Sequence, residues 1–153
     1  MKIFIAQHIK SYKLAKGVKS VNLIWKNNTI TDWVNTNINI NNKTVLTGHS
    51  IGASVALILA QKNTPKELHL YSPAPIFKDS LPLLNKSMIK YLGKKRITDI
   101  KNNFPIKNVK CPVKIYLGSE EIQIMTKNAK LIQKKIPHAK LVIIKGKNHY
   151  NII

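Results

Sequence analysis

The sequence predicts an α/β fold: a three-layer sandwich with a mostly parallel central sheet of about six strands, covered by helices on both faces. Three observations lead there. Short apolar runs rich in β-branched residues recur along the chain, segments of helical spacing separate them, and 153 residues suffice for one well-packed domain but not two.

Taken in order, the first strand is expected at "KIFIA" (2 to 6) and the second at "SVNLIW" (20 to 25), both too short for helices and rich in β-branched residues. A helix is expected from Ile30 to about Asn37. The third strand, "KTVLTG" (43 to 48), runs into a helix from Ile51 to Gln61. Ala53, Val55, Ala56, Leu57, Ile58, Leu59 and Ala60 make that helix apolar nearly all round, so it should lie buried against the sheet. A fourth strand is expected at "ELHLYS" (67 to 72), a fifth at "VKIYLG" (113 to 118) and a sixth at "KLVIIK" (140 to 145). Between the last two, a helix from about Ile122 to Ile136 places Met125, Ala129, Ile132 and Ile136 on one face, and Pro137 ends it. The segment 73–110 breaks the rhythm with Pro73, Pro75, Pro82 and Pro105. It reads as an insertion and functional cover within a single domain, 1–153.

The formal charge of +20 raises the prospect of a polyanionic partner. Of 26 basic residues, however, only Arg96 is an arginine. Arginine is the residue suited to bidentate phosphate and base contacts, so a lysine excess describes a solvated face, and no specific nucleic-acid partner is expected. Cys111 is the only cysteine, which excludes an internal disulfide and a multi-cysteine zinc site; beside a proline and an apolar run it reads as a buried, inert thiol. No apolar stretch reaches membrane-spanning length and "MKIFIAQH" has no small-residue cleavage site, so a cytoplasmic address is expected. Asn-x-Ser/Thr matches at Asn27, Asn42 and Asn85 follow from the abundance of asparagine. Nothing in the sequence fixes an oligomeric state.

The chemistry is carried by Gly48-His49-Ser50-Ile51-Gly52, at the junction of a predicted strand and a predicted buried helix. A nucleophile at such a junction occupies a sharp, strained turn, and its neighbours must be small. The new helix also aims its first amides, that of Ile51 foremost, at the place where an oxyanion would form. The plainer reading is a glycine-bounded turn holding an inert serine. Serine needs a base, and five histidines are available. His49 adjoins Ser50 but points away from it, His69 falls within a strand, and His138 follows a helix. His149 follows the last strand, at the carboxyl edge where parallel-sheet sites gather. An imidazole base needs a carboxylate to fix its tautomer. Asp32 precedes the nucleophile, Glu67 opens a strand and Asp99 lies deep in the insertion, whereas Glu120 and Glu121 follow the fifth strand directly. Order and position favour Glu121, with Glu120 and Asp79 as alternatives.

From about residue 2 to the end the chain resembles an α/β-hydrolase fold protein. The elbow "GHSIG" matches the family's G-x-S-x-G, "CPVKIYLGSEE" is similar to its strand and acid turn, and "IPHAKLVIIKGKNH" is similar to its final strand and histidine loop. The resemblance implies the order Ser50, Glu121, His149. It also implies a second oxyanion donor after the first strand, where "IFIAQHIKSYK" lacks the family's glycines, leaving the NH groups of Gln7, His8 or Ile9, with His8 central among them. The chain begins without the first antiparallel strands of larger members and stops soon after His149, so a minimal version of the fold is expected. The implied activity is a serine hydrolase cleaving an ester, thioester or amide of a small acyl substrate through an acyl-enzyme, with no metal or organic cofactor. Tyr91, Leu83, Leu84, Ile89 and Phe104 are the candidates to line its acyl pocket. The competing readings are a hydrolase-fold binding or scaffold protein without turnover and a basic nucleic-acid or membrane-surface binder, which the lysines alone support.

Overall fold

A computed structural model describes all residues, 1–153. It contains six strands: β1 (Lys2–Ala6), β2 (Val18–Asn22), β3 (Val45–His49), β4 (Glu67–Tyr71), β5 (Val113–Gly118) and β6 (Lys140–Ile144). Every neighbouring pair is parallel, in the order β2-β1-β3-β4-β5-β6. The four helices are α1 (Ile30–Val34), α2 (Ile51–Lys62), α3 (Lys86–Asn102) and α4 (Gln123–Lys135). This is the α/β class expected from the sequence. The order reverses between β1 and β3: the chain first adds β2 on one side of β1 and then returns to build the rest on the other. In open parallel sheets the crevice beyond the strands' carboxyl ends at such a reversal is where ligands bind.

α2 is the centre of the molecule. Residues from Ile51 to Ala60 are all buried, consistent with a helix that has no polar face. α4 presents Met125, Asn128, Ala129 and Ile132 inward and its lysines outward. The central strands contribute Ile3, Ile5, Leu46, Leu68, Leu70 and Ile115, each at most 1% exposed.

Three elements depart from the sequence expectation. β2 begins and ends earlier than "SVNLIW", because Leu23 and Trp25 are apolar for a different reason. Leu23 is a core residue, and Trp25 stacks on Trp33 and Tyr91 at centroid separations of 5.5 and 4.8 Å. Burial there comes from helix packing, not from the ladder. α1 stops at Val34: a capping box between Thr29 and Asp32 starts it, and the apolar face of Ile30, Trp33 and Val34 is exhausted within about one turn. The proline-rich segment after β4 holds α3, a long helix the sequence did not reveal. Asn85 caps it by accepting from the Met88 amide at 2.9 Å, and Gly93 breaks it at φ 78°, ψ 161°. Arg96 pins its second half in place, its guanidinium 3.7 Å from the Trp25 ring centroid and donating to the carbonyls of Leu92 and Trp25.

Candidate active site

Ser50 is the single residue between β3 and α2, with φ 55° and ψ −122°. A non-glycine residue in that region stores about 1–3 kcal/mol of strain and persists only where its surroundings hold it. Here the Ser50 amide donates to the Tyr71 carbonyl at 2.9 Å, and the Ser50 carbonyl accepts from the Ala74 amide at 3.1 Å. The flanking glycines are required by space: a Cβ on Gly52 would collide with the Ile5 carbonyl of β1, and a Cβ on Gly48 with the Gly52 carbonyl. α2 can therefore start close against β1, and Ser50 stands above the carboxyl edge. Being first in its helix, the Ile51 amide has no partner within α2.

Two further loops arrive at the same edge. The turn after β5 and the loop after β6 are tied together by the Glu120 amide, which donates to the Lys147 carbonyl at 2.9 Å. This places Glu121 Oε1 3.1 Å from His149 Nδ1, and His149 Nε2 lies 3.0 Å from Ser50 Oγ. An ionised carboxylate can only accept, so Nδ1 carries the proton and Nε2 presents its lone pair to the serine hydroxyl. Side chains from three segments thus form one continuous hydrogen-bonded chain.

The Glu121 side chain is 1% exposed. Burial pushes its carboxyl up, but hydrogen bonds from His149, Ser72 and the Ile122 amide outweigh that and hold it below the ordinary glutamate value. The Ile122 amide donates to Oε1 at 2.8 Å and the Ser72 hydroxyl to Oε2. Ser72 is fully buried at the end of β4 with φ 45°, and its part in the site was not recognised from the sequence.

The alternative acids lie elsewhere. Glu120 is exposed, and Asp79 pairs with Lys135 Nζ at 2.9 Å and accepts from the Ile106 amide at 2.7 Å. Asp32 belongs to the α1 capping box, and Asp99 accepts from the amide and hydroxyl of Thr31. His69 pairs with Glu67 within β4, and His138 meets the carbonyl of Cys111, whose thiol is buried and free. His8, expected as an oxyanion donor, follows β1 with φ 51°, ψ 47°, and lines the cavity. The Ile9 amide is committed to Asn22 Oδ1 at 3.1 Å, leaving Gln7 and His8 as the remaining candidates there. No group of three or more His, Cys, Asp or Glu side chains is arranged to hold a metal.

Ser50 and His149 open into a cavity of about 590 Å³. Its walls include Met88, Tyr91 and Leu92 of α3 and Met125 of α4. Of the five residues expected to line an acyl pocket, only Tyr91 does. Leu84 and Phe104 pack against the core, Ile89 faces solvent, and Leu83 is not part of the lining. Within α3 the helical phase, hidden in the sequence, turns Met88, Tyr91 and Leu92 toward the cavity and Ile89 outward. No Lys, Arg, Asp or Glu lines the cavity, although 26 residues of the chain are basic.

His49, set aside on sequence grounds as facing away from Ser50, is buried and bonded on both ring nitrogens. Nδ1 lies 2.6 Å from the Tyr12 hydroxyl and Nε2 2.8 Å from the His149 carbonyl. Burial first, and then the neighbouring His149, push its pKa down to about 4.

A family model described as "Putative esterase" matches residues 25–144. No curated protein matches the chain closely in sequence. Among solved structures, the chain is similar to a "Putative hydrolase" from Agrobacterium vitis S4, at 20% identity and a TM-score of 0.65 over 84% of this chain and 64% of that one. It is also similar to alpha/beta hydrolase domain-containing protein 10 from mouse (14% identity, TM-score 0.66, 97% and 81% covered). A third likeness is to carboxylesterase CesB from Bacillus subtilis (14% identity, TM-score 0.57, 97% and 77% covered). At these identities the likeness is one of fold, and the chain spans just under two thirds of the Agrobacterium protein's length.

Proposed function

The chain belongs to the esterase family whose model spans residues 25–144, and from that premise we propose that it is a serine hydrolase cleaving an uncharged carboxylic ester through an acyl-enzyme. The observation that carries this reading is the unbroken relay from Ser50 Oγ through His149 to Glu121, at 3.0 and 3.1 Å. Ser50 Oγ passes its proton to His149 Nε2 as it attacks the ester carbonyl carbon. The oxyanion that forms is met by the Ile51 amide and, from the segment after β1, by the amide of His8. His149 returns the proton to the departing alkoxide, leaving Ser50 acylated. Water then gives a proton to the same nitrogen as it attacks the acyl carbon, and the acid leaves as His149 passes that proton to the departing Ser50 Oγ, which restores the free enzyme. Glu121 stays ionised and holds the imidazolium that forms in each half.

The acyl group is uncharged and apolar on this reading. A free carboxylate or ammonium would be stripped of water in a cavity that supplies no partner charge. Segment 73–110 serves as the cover within one domain, 1–153, with Met88, Tyr91 and Leu92 forming the acyl wall.

The test is pre-steady-state hydrolysis of p-nitrophenyl esters of graded chain length. Where deacylation is the slower half, an acyl-enzyme mechanism gives a nitrophenolate burst equal to the enzyme present, and Ser50→Ala abolishes both burst and turnover. A burst surviving in Ser50→Ala removes Ser50 from the reaction. A folded wild-type protein that hydrolyses no ester favours a scaffold role instead. No helix of the protein is long and apolar enough to cross a membrane.

A further inference from the structure

On the proposed reading three loops, each after a different strand, must meet around the ester carbonyl: two carry the nucleophile and its base, and the third carries the second oxyanion donor. The segment after β1 carries His8, the β3–α2 turn carries Ser50, and the loop after β6 carries His149. Ordinary hydrogen bonding along the sheet does not hold the first and last of these together, since β1 and β6 are separated by β3, β4 and β5.

One side chain touches all three places. His49 is the residue immediately before Ser50. Its Nε2 faces the backbone carbonyl of His149 at 2.8 Å, and its Nδ1 faces the hydroxyl of Tyr12, in the segment after β1, at 2.6 Å. A carbonyl oxygen can only accept, so Nε2 carries the ring proton. Nδ1 then holds the lone pair and takes the Tyr12 hydrogen. The carbonyl partner excludes the Nδ1-protonated tautomer, and in the neutral ring that burial favours both bonds are satisfied with Nε2 protonated. The aromatic contacts follow the same line. The Phe4 and Tyr12 rings meet edge-on at 5.0 Å, those of Tyr12 and His49 at 5.6 Å, and the His49 and His149 rings lie 4.9 Å apart.

We infer that His49 is a positioning residue: through Tyr12 and the His149 carbonyl it clamps the oxyanion-side segment and the histidine loop to the nucleophile turn, holding His149 Nε2 in line with Ser50 Oγ. This rests on the Ser50–His149–Glu121 reading given above. His49 is not a base in the reaction, because both its nitrogens are occupied and neither meets the serine hydroxyl. Its neutrality is part of the device. His149 becomes a cation in each half-reaction, and a second cation at ring-stacking distance would oppose it. The titratable groups facing His49 are Tyr12 from the segment after β1, His149 from the loop after β6, and Glu121 from the turn after β5. Burial and His149 together keep its pKa down at about 4, well below its ordinary value.

The test compares His49→Phe, Tyr12→Phe and Ser50→Ala in ester hydrolysis, with rates expressed per active site by titration. Phenylalanine fills the ring's space and removes both hydrogen bonds. His49→Phe is expected to lower kcat by about tenfold to a hundredfold while leaving KM within about threefold, as a small misplacement of a general base does. Tyr12→Phe, which removes one of the two bonds, is expected to give a smaller loss of the same kind. In the wild-type protein, imidazole nitrogen NMR should show His49 protonated at Nε2 and bare at Nδ1 from about pH 5 to 8. The wild-type spectrum decides even if the phenylalanine variant does not fold. A kcat in His49→Phe within twofold of wild type, or a His49 found as the Nδ1 tautomer or as a cation at neutral pH, overturns the proposal. If Ser50→Ala itself retains activity, the reading of the relay fails, which is a separate outcome from a silent His49→Phe.

Discussion

Replacing Glu121 with glutamine changes charge with almost no change in shape, and the structure fixes how the amide would sit. Oε1 already accepts from both the Ile122 amide at 2.8 Å and His149 Nδ1 at 3.1 Å, so that position must remain an oxygen. The new NH2 group then faces Ser72, whose hydroxyl can turn to accept it. Geometry and tautomer therefore survive, and what disappears is the carboxylate's attraction for the imidazolium formed in the transition state. Two charges centred about 4 Å apart at an effective dielectric constant of about 20 interact by about 4 kcal/mol. At about 1.4 kcal/mol per decade, Glu121→Gln should lower kcat by about a thousandfold, with KM and fold little changed. Steady-state hydrolysis of a p-nitrophenyl ester measures this, with Glu120→Gln as the matched control. Glu120 is exposed and should tolerate the change. A Glu121→Gln enzyme within tenfold of wild type, or a Glu120→Gln enzyme equally impaired, would refute the assignment of the acid.

Other substitutions probe the frame around the site. Gly52→Ala should destabilise the protein by about 1–3 kcal/mol or more in urea unfolding, because its Cβ meets the Ile5 backbone and not a side chain that could move; a neutral effect would contradict the tight start of α2. Arg96→Lys should lower the thermal midpoint, since lysine retains the charge but loses the planar stack on Trp25 and the paired donation to carbonyls; an unchanged midpoint would show that the second half of α3 is anchored by other contacts. Stability should also fall on acidification in two stages. His49 binds a proton less readily in the folded state, with its pKa lowered from 6.5 to about 4, so the unfolded chain gains protons first as pH drops through that interval, and up to roughly 3 kcal/mol is lost there. Glu121, held below its ordinary value, contributes stability above that value that is lost as pH falls through its folded pKa. Urea midpoints measured from pH 7 to 3 should show His49→Phe flattening the first stage and Glu121→Gln the second; unaltered slopes in both would contradict the two assignments.

The parts of this structure legible in the sequence are those whose cause is local. The strands were marked by short β-branched runs, α2 by its unrelieved apolar face, and the elbow by glycines that sterics demand at two places. Ser50, Glu121 and His149 could be singled out together because parallel strands bring their carboxyl ends to one edge. What remained hidden depends on distant contacts. Ser72 serves Glu121 across 49 positions and His49 serves His149 across 100, and no local pattern distinguishes either from an ordinary strand-end residue. α3 was obscured by the prolines before it and by the glycine that breaks it, and its phase decides that Met88 and Leu92 line the cavity while Ile89 faces solvent. Trp25 misled for the opposite reason: its apolar character prolonged an apparent strand, whereas its burial comes from stacking on Trp33 and Arg96.

The central claim is that Ser50 is an activated nucleophile, and a fluorophosphonate tests it most directly. The reagent reacts fast where a serine is activated by a base and its product is held by oxyanion donors. Intact mass and peptide mapping should find one adduct per chain, located on Ser50, with none formed by a folded Ser50→Ala protein. No adduct on the folded wild-type chain, or an adduct on any other residue, would contradict the account.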